Sequence, residues 1–131
     1  MANKEKLNED VEVETKNESP IAIPGTDITE ENLAELKKEY KKVFASAYAG
    51  KIYVWHRINR KSFSEICDAT AEIEDDDELL VTREREFCKA CIVHPAAEEV
   101  EKDMEDEVIS SHMAREILFR SGFYQPQTTE L

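Results

Sequence analysis

Between residues 29 and 50 the apolar positions recur every three or four residues, which is typical of an amphipathic helix. Thr29 is a good N-cap residue, and Glu30 and Glu31 suit the positive end of a helix dipole. Gly50 is a natural end for such a helix. The pattern therefore predicts a first helix of about four turns. Its apolar face carries Leu33, Leu36, Tyr40, Val43 or Phe44, and Ala47.

The next segment, residues 51–57, is aromatic and β-branched and predicts a strand. A lone strand is not stable in water, and its pairing partner is not evident elsewhere in the sequence. Three arrangements stay open: a short hairpin with residues near 46–50, pairing with the 20s, or an edge completed by another subunit.

Two further helices are predicted in the middle of the chain. Asn59 is a good N-cap for the second helix, which runs to about residue 70. Residues 68–78 then carry seven carboxylates and no cation, and their mutual repulsion predicts a solvated loop. Thr82 caps a third helix, which Pro95 ends because the residue before proline avoids helical geometry. The buried stripes are Phe63, Ile66 and Cys67 in the second helix, and Phe87, Ala90, Cys91 and His94 in the third.

The last helix, predicted over residues 106–121, carries a clear signal at its C-terminal end. Gly122 suits the left-handed conformation that closes a Schellman motif, and Phe123 beyond it is placed to contact Leu118. The resulting fold class is α+β and mostly helical, with about four helices and a short strand or hairpin near residues 51–58.

Three regions are expected. Residues 1–26 contain no aromatic residue and few aliphatic ones, so they are predicted to form a disordered acidic arm that ends at the turn signal Pro24-Gly25. Residues 27–124 hold nearly all the apolar side chains and form the compact domain. Residues 125–131 are polar and are predicted to be a flexible tail.

Composition narrows the function. The 131 residues carry a formal charge of -13, which disfavours nucleic-acid binding because such binding is mostly neutralisation of phosphates by cations. No apolar run approaches the roughly 20 residues that cross a bilayer, and the N-terminus has no apolar signal core, so we expect a cytosolic protein without membrane contact. The three cysteines are then expected to be reduced.

Candidate chemistry is sparse. Cys88 and Cys91 are spaced like half of a zinc site, with Cys67 as a further ligand, but the chain has no second Cys-x-x-Cys pair. The acidic run from Asp75 to Glu78 lacks the glycine and ligand spacing of a calcium loop. No nucleophile, phosphate-loop or metalloprotease motif is present. We therefore expect no catalytic residue, no metal and no cofactor, and a protein that is not an enzyme.

The strand offers a candidate partner-binding surface. Tyr53 and Trp55 fall on one face with Arg57, and Arg60 follows nearby. Aromatic residues beside arginine are typical of protein-binding hot spots. The alternative is that helix one or the arm covers both aromatic rings.

Three segments together resemble small tail-morphogenesis proteins of contractile-tailed bacteriophages. They are residues 57–66 after the strand, residues 86–95 across the two cysteines, and residues 114–123 at the end of the last helix. The similarity covers about residues 50–124 and consists of an arrangement of hydrophobic and turn residues, without a catalytic signature.

The resemblance implies a non-enzymatic phage tail assembly protein, such as a tail assembly chaperone, that binds a tail or tape-measure protein during morphogenesis. It would act through the amphipathic faces of the first and last helices and the aromatic strand. Its partners would be tape-measure, tube or baseplate proteins, with self-association open, and it would work in the host cytoplasm. One alternative is a baseplate or tail component retained in the virion. Another is a small zinc-stabilised regulatory protein.

Overall fold

The computed structural model describes residues 19–123 and 129–131, and within them it is α+β, with five helices and one three-stranded antiparallel sheet. The predicted fold class is confirmed. The elements are α1 Glu30–Tyr40, β1 Val43–Tyr48, β2 Lys51–His56, α2 Arg60–Ala69, α3 Asp76–Cys91, β3 Ile92–His94, α4 Ala97–Asp103 and α5 Glu107–Arg120.

The chain divides into two units after Lys38. In the first unit, Pro24 and Gly25 occupy the centre of a turn in which the Thr26 N–H donates to the Ile23 carbonyl at 3.1 Å. Gly25 has φ of 86°, which a type II turn requires at this position. Ile21 forms a β-bridge with Thr29. Residues 19–26 of the predicted arm thus form a hydrogen-bonded turn, and residues 1–18 lie outside the described residues.

Helix α1 begins as predicted and ends earlier. The Thr29 hydroxyl accepts from the Asn32 N–H at 3.1 Å, which caps the first turn. Lys41 adopts the left-handed conformation, with φ of 70°, and stops the helix after Tyr40. The prediction of a helix to Gly50 is therefore wrong.

Residues 43–48 form strand β1 instead. Val43, Phe44 and Tyr48 have strong β-propensity, and β1 pairs with β2 through a hairpin closed by Tyr48 and Lys51. The two loop residues, Ala49 and Gly50, have φ of 54° and 78°, the conformation of a type I′ turn. Of the three arrangements left open for the strand, the hairpin is the one observed, although it begins at Val43.

Of the predicted acidic loop over residues 68–78, residues 70–75 lie outside the helices, whereas residues 68–69 belong to α2 and residues 76–78 to α3. The Asp75 side chain accepts from the Glu78 N–H at 2.8 Å, so α3 begins at Asp76 and not after Thr82. Carboxylates in a first helical turn are stabilised by the dipole and the free N–H groups, which offsets part of their mutual repulsion. Helix α3 ends at Cys91, before Pro95, because residues 92–94 extend to pair with β2.

The last two helices follow a second acidic stretch. Residues 97–103 form the short helix α4, which was not predicted. Helix α5 confirms its prediction: Asp106 caps its start at 3.0 Å from the Val108 N–H. The Phe123 N–H donates to the Leu118 carbonyl and the Gly122 N–H to the Phe119 carbonyl, which together form the predicted Schellman motif. Part of the predicted tail, residues 125–128, lies outside the described residues.

The core of the second unit lies between the sheet and helices α2 to α5. Each helix contributes the face that its sequence leaves apolar, and the sheet contributes the face of β2 that carries the aromatic residues. The buried cluster comprises Tyr53, Trp55, Ile58, Phe87, Cys88, Cys91, Ile92, Val100, Met104, Met113, Ala114 and Ile117.

Candidate protein-binding surface

Tyr53 and Trp55, two of the residues predicted to bind a partner, lie in the core. Their exposed fractions are 0% and 1%. The Trp55 indole N–H donates to the Ser46 hydroxyl at 2.9 Å, and its ring stacks on Phe44 of β1. Because this face of β2 is the one on which the helices pack, neither ring is available to another protein, and that part of the prediction is corrected.

Arg57 and Arg60 remain exposed. The Arg60 guanidinium lies over the Phe123 ring, 5.7 Å from its centroid, so this residue also covers the end of the chain's last apolar segment. Their role in partner binding stays a prediction.

The Tyr53 hydroxyl belongs to a polar network between β2 and α4. It donates to the Asp103 carboxylate at 2.9 Å, and Lys51 bonds both Asp103 and Glu99. Burial and the Asp103 hydrogen bond raise the pKa of Tyr53 to about 12. Partial burial works against ionisation of Asp103, but hydrogen bonds from Lys51 and Tyr53 outweigh it and lower its pKa. The network holds α4 against the start of the sheet.

The cysteines pack as small apolar residues. Cys88 and Cys91 are buried, and the Cys88 thiol donates to the Ser110 carbonyl at 3.4 Å. Burial raises the pKa of both thiols, to about 12 for Cys91. In the described part of the chain, no three His, Cys, Asp or Glu residues are grouped so that they could hold a metal ion.

Helix α5 carries apolar residues on two opposite faces, and on the outer face they alternate with His112 and Arg115. Its inner face is buried and carries Ser110, Met113, Ala114 and Ile117. Its outer face carries Val108, His112, Arg115 and Phe119, at the spacing of one continuous helical row. We call this row the α5 stripe. Val108 and Phe119 are 61% and 60% exposed, which is unusual for two large apolar side chains on one short helix.

A groove lies between β1 and α5, beside the C-terminal half of the α5 stripe. It encloses about 480 Å³ and is lined by Ser46, Ala47, Tyr48, His112, Met113, Arg115, Glu116 and Phe119. The rings of Tyr48 and His112 lie 5.2 Å apart between centroids and join the two elements. We call this the β1–α5 groove. It is large enough for one or two apolar side chains of a partner.

The other half of the α5 stripe borders α3. A shallower depression of about 350 Å³ there is lined by Leu80, Val81, Glu84, Glu107, Val108, Ser111 and His112. Leu80 is 53% exposed and lies beside Val108, so the apolar surface continues from α5 onto α3. His112 borders both depressions, which makes the α5 stripe a single surface along the whole helix.

Cations border the α5 stripe although the chain as a whole is acidic. Arg120 pairs with Glu116 at 2.9 Å, and its guanidinium lies 5.8 Å from the centre of the Phe44 ring. Arg115 lies 3.9 Å from Glu84. The side chains of both arginines are more than half exposed. The Arg120–Glu116 pair is exposed on both sides, and such pairs contribute at most about 1 kcal/mol, so Arg120 can exchange its partner for a group of a bound protein. Glu84, the partner of Arg115, is buried.

A second groove of about 480 Å³ lies between α2 and α3. Its floor is apolar, with Ile66, Ala69, Ile73 and Ala90, and its rim carries Glu65 and Glu86. Among residues 19–123, no large apolar side chain that lines this groove is exposed in the way that Phe119 and Val108 are at α5. The α5 stripe is therefore the better candidate for a main contact surface.

No helix in the part of the chain that the structure describes combines the length and apolarity needed to cross a bilayer. No protein-family model matches this chain, and no curated protein or solved structure matches it either.

The α5 stripe was only half predicted. The last helix was expected to use an amphipathic face, but its apolar residues were not divided between an inner and an outer face. Val108 and Phe119 lie 11 positions apart, close to three helical turns, and on the side opposite Ala114. That spacing is the signal from which a second apolar face could have been found.

Proposed function

We propose that this protein is a non-enzymatic phage tail assembly protein that binds a tail or tape-measure protein during morphogenesis, with the α5 stripe as its main contact surface. The observation that carries the proposal is the second apolar face of α5, because a surface helix ordinarily keeps its outer face polar. The resemblance of residues 57–66, 86–95 and 114–123 to tail-morphogenesis proteins supports the choice of partner.

The geometry of the surface favours protein binding over chemistry. Val108 and Phe119 supply exposed apolar area, and open depressions on both sides of α5 can accept the side chains of an apolar helix or strand. The formal charge of -13 would keep a complex with an aggregation-prone client in solution.

The test is co-expression with the tape-measure, tube and baseplate genes of the same genome, followed by affinity capture. We expect one of these proteins to co-purify with the wild type. The double variant Val108→Asp and Phe119→Asp should weaken binding at least about tenfold, since buried charge opposes an apolar contact. Ser64→Asp, which adds one negative charge on the exposed side of α2, is the control for a surface charge away from the stripe and should bind normally.

Both substituted residues are largely exposed, so the double variant should keep the far-UV circular dichroism spectrum and melting temperature of the wild type within a few degrees. A wild-type protein that captures none of the tail proteins would overturn the proposal. Equal binding by the double variant and the control would show that the α5 stripe is not the contact surface.

A structural component of the virion would use the same surface but would remain in the finished particle, whereas an assembly factor would leave it. Mass spectrometry of finished particles distinguishes the two: an assembly factor is absent or far below stoichiometric amounts, whereas a component is present at a fixed ratio to the tail proteins. Nothing in the geometry of the described residues favours the zinc-stabilised alternative, because Cys88 and Cys91 have no third His, Cys, Asp or Glu grouped with them.

A further inference from the structure

Strand β1 is an edge of the sheet with nothing in its sequence to protect it. The strand order is β1-β2-β3, so one side of β1 has no neighbour within the described sheet. Residues 43–48 include no charged residue and no proline, and they pair with β2 in unbroken register. Edges of this kind readily accept another strand.

The hairpin determines which backbone groups of β1 face outward. In a two-residue hairpin the residues that flank the loop, here Tyr48 and Lys51, form a hydrogen-bonded pair. The pattern alternates along the strand, so Val43, Ala45 and Ala47 direct their N–H and C=O groups away from β2. Ala45 and Ala47 are exposed, and neither forms a backbone hydrogen bond outside the sheet among the residues described.

The surroundings of this edge are locally basic. Lys41 and Lys42 directly precede β1, and Arg115 and Arg120 border the groove beside it. Three carboxylates lie near these four cations, Glu39 in sequence and Glu84 and Glu116 as ion-pair partners. The local balance is therefore slightly positive in a chain whose formal charge is -13.

We infer that β1 accepts an extended, acidic segment of a partner protein as a fourth strand of the sheet. The backbone of this segment bonds Ala45 and Ala47. Alternate side chains enter the β1–α5 groove, where apolar ones meet Tyr48 and Phe119 and acidic ones meet Arg115. The inference rests on the proposed function only in taking the partner to be a protein, and it specifies the conformation and charge of the segment that binds.

A second copy of the chain fits this edge less well. It would bring its own Lys41, Lys42 and Arg115 to the same place, where like charges repel. An acidic segment instead pairs with all of these cations.

The test is a titration of the full-length protein with acetyl-Glu-Val-Thr-Val-Glu-Val-amide, followed by amide NMR and hydrogen exchange. We expect the Ala45 and Ala47 amides to shift and to exchange at least tenfold more slowly. The same peptide with lysine in place of both glutamates should bind at least fivefold more weakly to the wild type. The preference for the glutamate peptide over the lysine peptide should become smaller or reverse in Arg115→Glu.

Ala45→Pro removes an outward N–H without breaking a bond to β2, so it should keep the fold and lose at least tenfold in peptide affinity. If Ala45→Pro does not fold, the peptide titration of Arg115→Glu still tests whether the acidic peptide binds beside β1, through the loss of its charge preference. Shifts confined to the α2–α3 groove, or no shifts at millimolar peptide, would overturn the inference. So would sedimentation as a dimer with β1 amides protected before any peptide is added.

Failure of this inference is distinguishable from failure of the proposed function. Suppose that Ala45→Pro captures the tail protein as well as the wild type does, and that the Val108→Asp and Phe119→Asp double variant does not. The α5 stripe is then supported as the contact surface, and strand addition at β1 is rejected.

Discussion

The two edges of the sheet differ in how they meet the rest of the chain. Strand β3 has three residues, its register shifts where it meets Val54 and Trp55, and Pro95 follows it directly. Strand β1 has six residues and none of these features. Short length, irregular register and proline are common means by which proteins stop an edge from pairing. Within the described residues, the β3 edge therefore has features that oppose strand addition and the β1 edge has none of them.

The contrast extends to the helices beside each edge. Next to β3, α4 is held by the network of Lys51, Tyr53 and Asp103, so its polar side chains are engaged within the fold. Next to β1, α5 directs Phe119 and Arg115 outward. Within the described residues, the β3 side of the sheet has more internal polar contacts, and the β1 side has more exposed apolar surface.

The largest effect is expected from a substitution in β2, the central strand that pairs with both edge strands. Trp55→Ala deletes a ring that is 1% exposed in central strand β2. We expect the free energy of unfolding to fall by about 3–5 kcal/mol, as for other large-to-small core substitutions. Urea denaturation followed by far-UV circular dichroism measures it. Arg57→Ala, exposed in the next segment, is the control and should change stability by less than about 0.5 kcal/mol.

If Trp55→Ala lowers the free energy of unfolding by less than about 1 kcal/mol, the indole is not buried as described. The difference between the two edge strands would then not depend on packing against β2.

A second change weakens only the β1 side. Gly50 has φ of 78° in the hairpin turn, and a Cβ there would meet nothing within 4 Å, so Gly50→Ala costs backbone strain alone. We expect about 1–2 kcal/mol. Hydrogen exchange should speed up more in the β1–β2 ladder than in the β2–β3 ladder. Gly50→Asn should cost less, because Asn tolerates the left-handed conformation. Equal effects of the two substitutions would argue against the type I′ turn.

The smallest effect is expected from a substitution in the polar network of β2, which should change stability without changing binding at the β1 edge. Tyr53→Phe removes the hydrogen bond to Asp103 and should cost about 1 kcal/mol at neutral pH. Because the pKa of Tyr53 is raised to about 12, the folded protein keeps this proton while the unfolded chain ionises near pH 10. The stabilisation is therefore complete below about pH 10 and is lost as the pH rises toward 12.

Thermal unfolding between pH 8 and 12 tests this prediction. The wild type should lose stability more steeply than Tyr53→Phe above pH 10, and both should bind the acidic hexapeptide equally at pH 7. Parallel pH profiles would mean that Tyr53 ionises normally, and a change in peptide binding would link the network to the β1 edge.

Local signals were enough to predict several elements. Asn59 caps α2 at 2.8 Å from the Ser62 N–H, Pro24-Gly25 forms its turn, and Gly122 closes α5 as predicted. In each case the residues that decide the conformation lie within a few positions of one another, so no distant contact is needed to determine it.

Other elements depended on distant contacts. Phe44 and Tyr48 fit a helical row and a strand face equally well, and pairing with residues 51–56 decided for the strand. Tyr53 and Trp55 had the composition of a binding surface, but helices far along the chain cover them. Whether an aromatic side chain is exposed depends on what packs against it, which its own neighbours in sequence do not determine.

The amino-acid sequence was sufficient for the fold class, for the Thr29 and Asn59 caps, for the Pro24-Gly25 turn and for the Gly122 helix end, because these follow from short-range geometry. The division of the apolar residues between the core and the surface depended on long-range packing. The packing of α3 and α5 on the sheet buried Trp55 and left Phe119 and the edge of β1 exposed, since each face of an element can be covered only once.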